Sequence, residues 1–274
     1  MQVTNQKAGQ KKFLKPIVVF SCIVSVLTAS FVQAQTPEEK GLRIANESDL
    51  RDTGWGDSQA KMKMVLRNKA GKESAREIRI KNLEVQNDGD KSISIFDRPA
   101  DVRGTTFLSH THVTEADDQW LYLPAVKRIK RISSANKSGP FMGSEFSYED
   151  LSSQEVGKYI HKFVGEETVA GRATFKLEQT PTYAKSGYVR RLTWIDKEHY
   201  YPVKTEFYDR KNALLKTLEF SAYQQYLNKF WRAGKMQMQN HQNGKSTDLV
   251  WEGYEFKSGL KDSDFSQTAL KRVR

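Results

Sequence analysis

The chain has 274 residues, a formal net charge of +11 at pH 7 and an apolar content of 38 %. Its 5 Trp, 11 Tyr and 14 Phe residues supply enough large side chains for a core, which excludes disorder for most of the chain. Ordinary amounts of Gly and Pro, and a single long apolar run, exclude collagen-like and multi-span membrane proteins.

The first 34 residues have the organisation of an export signal. A lysine-rich start is followed by an apolar run over residues 17–27, and Val32-Gln33-Ala34 places small residues at the −3 and −1 positions of a cleavage site. We predict cleavage after Ala34, with residues 1–34 as signal peptide and 35–274 as one exported, periplasmic domain. The alternative is an uncleaved anchor, which the serines inside the run disfavour.

The cysteine and charge content constrains the mature domain. Cys22 is the only cysteine and lies inside the signal, so no disulfide or thiolate metal site is available after cleavage. Removing the four lysines of residues 1–34 from the total leaves +7 for residues 35–274. This charge is modest, and export removes the chain from the cytoplasm, so we expect no nucleic-acid partner.

The mature chain is predicted to begin with one helix and to continue as strands. Thr36-Pro37-Glu38-Glu39 is a capping box with Pro at the first helical position, so we expect a helix from here to about Asp52. Further along, apolar residues alternate with polar ones, which is typical of strands. The predicted strands include 61–64, 76–80, 93–95, 105–112, 119–123, 126–132, 158–164, 174–179, 189–195, 203–208, 214–226, 236–240 and 247–256.

More than ten consecutive strands with short turns predict a meandering antiparallel sheet, long enough to curl into a barrel or half-barrel. The fold class is therefore mainly β, with few helices. The longest break, residues 133–144, carries the apolar Phe141 and Met142. Such a loop beside a curved sheet is either a lid or a simple cover for one end of the barrel, and the sequence leaves both open.

Signals of catalysis are weak. His110 and His112 would point the same way on a strand, and Glu115 or Asp117 could join them as metal ligands, but a solvated strand is the commoner explanation. The chain has no nucleophile elbow, Walker loop or dinucleotide fingerprint. We therefore expect a protein that is not an enzyme, with no cofactor and no metal.

A basic segment, Lys127-Arg128-Ile129-Lys130-Arg131-Ile132, places four cations in six residues. Arg128 and Arg131 are our candidates for contact with a lipid head group, a lipid A phosphate or an acidic partner protein. The alternative is a solvated edge strand whose charges prevent aggregation.

Several segments together resemble the outer-membrane lipoprotein-sorting protein family, in its LolA-like branch. The resemblance covers roughly residues 37–272, and the Tyr-Leu-Pro and Gly-Ser-Xaa-Phe-Xaa-Tyr-Xaa-Asp segments are its more specific parts. The segments are 120–124, 127–132, 143–151, 171–172, 194–196, 201–203, 207–210, Trp231, 247–251 and 264–266.

The resemblance implies a half-open antiparallel β-barrel whose helices cover a hydrophobic cavity, in a periplasmic protein that binds the acyl chains of lipids or lipoproteins. It also implies a possible inner-membrane partner, an exporter of the resistance–nodulation–division (RND) type. No arginine of this chain aligns with the one that latches the lid of the LolA carrier, so that latch is not implied.

Six apolar residues are our candidates for contact with lipid or with the lid, although an ordinary core position is the commoner explanation for each of them. They are Trp120, Tyr122, Phe141, Met142, Trp194 and Phe207.

Two functions follow from these observations. The first is a carrier with an apolar cavity, involved in lipoprotein sorting or envelope lipid transport. The second is a non-transporting accessory protein that docks on an RND-type exporter. A cavity of several hundred Å³ would favour the first function, and an interior filled with side chains would favour the second.

Overall fold

The computed structural model describes residues 1–4 and 35–272. The predicted export signal and its cleavage site after Ala34 lie almost entirely outside the described residues. The chain from Gln35 onward forms one compact unit. Among the described residues, no helix has both the length and the apolar character that crossing a membrane requires.

The one α-helix among residues 1–4 and 35–272, α1, spans Pro37–Arg51. The Thr36 hydroxyl accepts a hydrogen bond from the Glu39 backbone N–H at 3.1 Å, and the Glu39 carboxylate accepts one from the Thr36 N–H at 2.8 Å. This reciprocal pair satisfies two N–H groups that the helix cannot satisfy itself. The predicted helix is therefore confirmed, with its capping box.

Thirteen strands follow, and each predicted strand corresponds to one of them. They are β1 (Asp57–Arg67), β2 (Glu73–Leu83), β3 (Lys91–Arg98), β4 (Thr106–His110), β5 (Asp118–Leu123), β6 (Arg128–Arg131), β7 (Tyr159–Val169), β8 (Arg172–Pro181), β9 (Tyr188–Asp196), β10 (Pro202–Asp209), β11 (Leu214–Tyr226), β12 (Phe230–Asn240) and β13 (Ser246–Phe256).

All thirteen strands belong to one curved antiparallel sheet, in the order β6-β5-β4-β3-β2-β1-β13-β12-β11-β10-β9-β8-β7. Pairing of β1 with β13 joins the first half of the meander to the second. Because β6 and β7 do not pair with each other, the sheet stays open, as the prediction of a half-open barrel requires. Between these two edges the chain makes four short 3₁₀ turns within residues 133–158, which we call the inner segment.

The two faces of the sheet are covered by different parts of the chain. The inner face, which carries Met64, Phe107 and Phe207, is covered by the inner segment. α1 covers the same face over β7–β9, where Ile44 packs with Leu177. The outer face is covered over β3–β6 by residues 257–272, which we call the C-terminal segment.

Gly41 sets how closely α1 approaches the sheet. A Cβ atom at this position would lie 2.8 Å from backbone atoms of His161 and Phe163 in β7. Only glycine allows this contact, so α1 lies directly on the edge strand β7.

Candidate functional site

The inner face is an apolar wall whose space is filled by the inner segment. Phe141, with an exposed fraction of 1 %, places its ring centroid 5.1 Å from that of Phe107 and 5.9 Å from that of Phe96. Tyr148 closes the cluster, with its ring 5.5 Å from Phe141 and at 87° to it. The strands therefore build the apolar wall, and the inner segment packs its own aromatic rings onto it.

The structure separates the six candidate contact residues into two groups. Phe141, Met142 and Phe207 belong to the apolar cluster on the inner face. Trp120 and Tyr122 point to the outer face, where they pack with the C-terminal segment.

Trp194, the sixth candidate, also points outward. Its indole N–H donates to a Glu167 carboxylate oxygen at 2.8 Å, and the ammonium groups of Lys176 and Lys204 lie 4.7 and 4.5 Å from the ring. Only three of the six candidates therefore face the interior of the sheet.

The two candidate arginines lie at opposite ends of β6. Arg128 begins the strand, is exposed and makes no ion pair among the described residues. Arg131 ends it and pairs with Asp118. The structure does not bring these two guanidinium groups together.

A buried ion pair fastens the inner segment to β11. Lys216 Nζ lies 2.5 Å from Asp150 Oδ2, and both side chains are only 4 % exposed. The Tyr188 hydroxyl donates to the other Asp150 oxygen at 2.8 Å. Burial, reinforced by the nearby Asp150 and Glu149 carboxylates, raises the pKa of Tyr188 well above its usual value, so this hydroxyl stays a proton donor.

Glu149 makes a second attachment, to the turn between β8 and β9. Its carboxylate accepts hydrogen bonds from the Tyr183 hydroxyl at 2.6 Å and from the Gly187 N–H at 2.9 Å, and also from the Ser186 hydroxyl. A buried carboxylate needs several donors of this kind, because it has lost its water. The Glu149 carboxylate therefore holds the turn against the inner segment.

The two ends of the inner segment meet at Asp117. Lys137 and Lys158 both pair with this carboxylate, with Lys137 Nζ at 3.2 Å. Burial alone would raise the pKa of Asp117, but the two ammonium groups outweigh it and hold the pKa below its ordinary value. Asp117 is therefore ionised and joins the beginning and the end of the segment.

A cleft of about 620 Å³ opens beside the inner segment. Apolar surface comes from Phe146, Tyr188 and Leu215, and the rim carries Lys211 and Lys245. This size is within the range of small-molecule sites, and its combination of apolar floor and charged rim suits an amphiphile.

Two acids near the C-terminal end of the inner segment, Glu155 and Asp90, hold their protons more tightly than is usual. Burial, with the nearby Asp90 and Asp49, raises the pKa of Glu155 to about 7. Burial also raises the pKa of Asp90 to about 6, with added repulsion from Glu84 and Asp52. These carboxyl groups meet where α1, the β2–β3 turn and the inner segment come together.

The two histidines that could have held a metal have other partners. His110 Nε2 lies 2.6 Å from the Phe265 carbonyl oxygen, and His112 Nδ1 lies 2.8 Å from an Asp88 carboxylate oxygen. Among residues 1–4 and 35–272 there is no group of three or more potential ligands placed to hold a metal ion.

Sequence reasoning did not find the charged attachments of the inner segment. One signal was available, because Lys216 lies two residues from each of the apolar Leu214 and Leu218 in the sequence, a pattern that predicts an inward position for it. A lysine at such a position needs a buried partner. Nothing in the sequence indicated that Asp150 would be this partner.

Solved structures of related proteins share this fold. A domain named as an outer membrane lipoprotein-sorting protein, from Vibrio parahaemolyticus, is 58% identical, covers 86% of this chain and 100% of its own, and superposes with a TM-score of 0.85. A DUF1329 family protein from Desulfovibrio piger is 31% identical over 86% of this chain and 99% of its own, with a TM-score of 0.81.

Two further comparisons complete these findings. A LolA superfamily protein from Nitrosomonas europaea, 20% identical over 84% of this chain and 98% of its own, has the same fold with a TM-score of 0.67. A model of a family of uncharacterized proteins matches residues 88–272. None of the curated proteins matches this chain.

Proposed function

Because the chain belongs to the family of outer membrane lipoprotein-sorting and DUF1329 proteins, with a LolA-like fold, we propose that it is a periplasmic carrier for lipids or lipoproteins. The observation that carries this proposal is the apolar inner face, whose wall is built by the strands and is covered by a separate segment that inserts Phe141 and Phe146. Acyl chains would lie where the inner segment now packs.

Cargo and inner segment would compete for the same apolar wall. Each methylene group of an acyl chain gains about 0.8 kcal/mol on burial, so a long chain can replace the contacts that Phe141 and Phe146 make. Loading would then move the inner segment outward, and its return would help to release the cargo.

The cleft beside the inner segment supports an entry route. Its floor at Phe146 and Tyr188 is continuous with the apolar cluster of the inner face, so an acyl chain entering there would reach this cluster first. The polar head group would stay at the rim.

The periplasmic location depends on the predicted signal peptide of residues 1–34. An exported domain of residues 35–274 without cysteine does not depend on disulfide formation, so it can fold by its core alone.

The first test is native mass spectrometry of residues 35–274 purified from the periplasm, followed by organic extraction. We expect a bound lipid or acylated protein at close to one copy per chain. An unliganded mass that stays unchanged after incubation with envelope lipids would reject the carrier proposal.

A disulfide that locks the inner segment gives a sharper test. A Cβ atom at Gly187 would lie 2.9 Å from the Ser138 Cβ, so the turn and the inner segment need to separate by roughly 1 Å to reach the Cβ spacing of a disulfide. Residues 35–274 contain no other cysteine. We expect Ser138→Cys/Gly187→Cys to load lipid when reduced and to lose loading when oxidised. Equal loading in both states would show that the inner segment does not move aside.

The alternative is a non-transporting accessory protein that docks on an RND-type exporter. The packing of Phe141 between Phe96 and Phe107 favours it, since the inner face is already occupied. If the chain has this accessory function, locking the inner segment with the Ser138→Cys/Gly187→Cys disulfide should change neither the activity of the exporter nor binding to it.

A further inference from the structure

The two ends of the sheet carry opposite charge. In a meander every second turn lies at the same end, and pairing of Arg67 with Ser246 places the β12–β13 turn with the β1–β2 turn. One end is formed by the turns 68–72, 99–105, 124–127, 182–187, 210–213 and 241–245, and we call it the basic end. Its turns carry a single acid, Asp101, and eight cations: Lys69, Lys72, Arg103, Lys127, Lys185, Arg210, Lys211 and Lys245.

The other end, which we call the acidic end, has the reverse composition. It is formed by residues 52–56 and the turns 84–90, 111–117, 170–171, 197–201 and 227–229. These carry two cations, Lys197 and Lys229, and seven acids: Asp52, Glu84, Asp88, Asp90, Glu115, Asp117 and Glu198. The charge carried by these turns is therefore polarised along the strands.

The cations of the basic end make no ion pairs within the described part of the chain, although a hydrogen bond from Gln242 and the nearby charge of Lys211 both lower the pKa of the Asp209 carboxyl group. None of the eight forms an ion pair there, and Arg210 and Arg103 donate only to backbone carbonyl oxygens, of Ser186 and Asp97. Several acids of the acidic end, by contrast, are neutralised internally, as in the pair of Asp52 with Arg232. The basic end thus presents a positive field that an outside partner can use.

The arrangement of these cations suits an extended anionic surface. They come from six separate turns spread along the sheet from β5–β6 to β8–β9, so one small anion or one short peptide could contact only a few of them. Val126, 58 % exposed, adds an apolar side chain beside Lys127 at this same end. Apolar residues flanked by cations are typical of segments that contact lipid bilayers.

We propose that the basic end docks on the surface of a bilayer containing anionic phospholipids. Lys211 and Lys245 line the rim of the 620 Å³ cleft, so this orientation turns the cleft toward the lipid head groups. Docking goes beyond the carrier function and does not depend on it, because it requires only the turns and not an opening of the inner segment.

Vesicle sedimentation tests the docking. Residues 35–274 should bind vesicles of phosphatidylcholine mixed with phosphatidylglycerol, should not bind phosphatidylcholine alone, and should be released by salt. Lys211→Glu/Lys245→Glu should weaken binding at least about 30-fold, since each basic residue near such a surface contributes roughly a factor of five. Both side chains are exposed, so the thermal midpoint should not change.

A matched control separates docking from net charge. Lys61→Glu/Lys63→Glu makes the same change in charge on exposed outward positions of β1, and it should leave vesicle binding within about threefold of the parent. An equal loss in both double variants would overturn the proposal, and so would an absence of binding to the phosphatidylglycerol vesicles. In that second case an acidic protein surface becomes the partner to test.

Orientation is tested with a polarity-sensitive dye on a single cysteine. Val126→Cys should report a less polar environment when anionic vesicles are added, and Glu115→Cys, in an exposed turn of the acidic end, should not. The reverse result, or equal shifts at both positions, would contradict docking through the basic end.

Discussion

The inner segment and the C-terminal segment each cover one face of the sheet, but they are attached differently. Each buries an aromatic ring, Phe141 or Phe265, to an exposed fraction of 1 %. The inner segment adds the fully buried pair of Asp150 with Lys216. The C-terminal segment adds a pair of Lys91 with Asp262, whose carboxylate side chain is 75 % exposed.

This difference indicates which cover can leave. When two buried charges separate into water, both regain much of the hydration that they lost on burial. This gain offsets most of the attraction between them, so the ion pair adds little to the free energy needed to detach the inner segment. The contacts of Phe141 on the inner face and of Phe265 on the outer face have no such compensation, because apolar surface gains nothing from water. Since only the inner segment is also held by buried charges, we expect it to open more readily than the C-terminal segment.

The largest expected change in the free energy of unfolding comes from removing the buried aromatic rings of the two segments. Phe141→Ala and Phe265→Ala should each lower the free energy of unfolding by about 3–5 kcal/mol, measured by urea denaturation. Only Phe141→Ala empties space on the inner face, so it alone should change lipid loading. Equal loading of both variants would remove the functional distinction between the two segments.

The next effect comes from breaking the buried ion pair. Asp150→Asn leaves the Lys216 ammonium group buried without its counter-charge and should cost about 3 kcal/mol. Asp150→Asn/Lys216→Met removes both charges and should recover most of this loss. If the double variant is as unstable as the single one, the pair does not act as a unit.

The two segments should also differ in how their stability depends on pH, and this difference is smaller than the effects above. The raised pKa of Glu155, about 7, means that the folded state favours the protonated acid, so its contribution is present at low pH and is lost as pH rises from about 4.5 to 7. In Glu155→Gln, the change in the free energy of unfolding over this pH range should be smaller by about 1 kcal/mol, a value that allows for partial solvent screening. Urea denaturation across this pH range measures it.

The pKa shift of Asp262, in the C-terminal segment, has the opposite sign and serves as the comparison. The hydrogen bond and charge of Lys91 lower the pKa of Asp262, so its contribution is present above its ordinary pKa of 3.8 and is lost as pH falls. Hydrogen exchange should therefore show the inner segment, but not the C-terminal segment, loosening as pH rises from about 4.5 to 7. Loosening of the C-terminal segment over this same range would contradict the assignment.

The smallest change in the free energy of unfolding is expected from breaking the exposed pair of Lys91 with Asp262. Asp262→Asn should change the free energy of unfolding by less than about 0.5 kcal/mol, because an exposed ion pair gains little over its hydration. Thermal denaturation at low and high salt measures it. A loss comparable to that of Asp150→Asn would mean that charge also fastens the C-terminal segment.

Local patterns were enough to predict the strands and the helix. The capping box at Thr36 and the alternation in segments such as Arg76–Ile80 depend only on neighbouring residues, so their structures could be predicted directly. The outward direction of Trp120 depends on which face of the sheet its strand turns inward, and the burial of Phe141 depends on the inner segment lying across that face. That choice is made by the whole sheet, and the sequence did not show it.

The sequence by itself determined a mainly β fold with one capped helix, because hydrogen bonding along the chain and the two-residue period of strands are local properties. Only the tertiary structure decided that residues 133–158 fill the inner face, that Asp150 meets Lys216 across 66 positions, and that eight cations gather at one end of the sheet. These depend on strand order and register, which bring distant residues together once the sheet has formed.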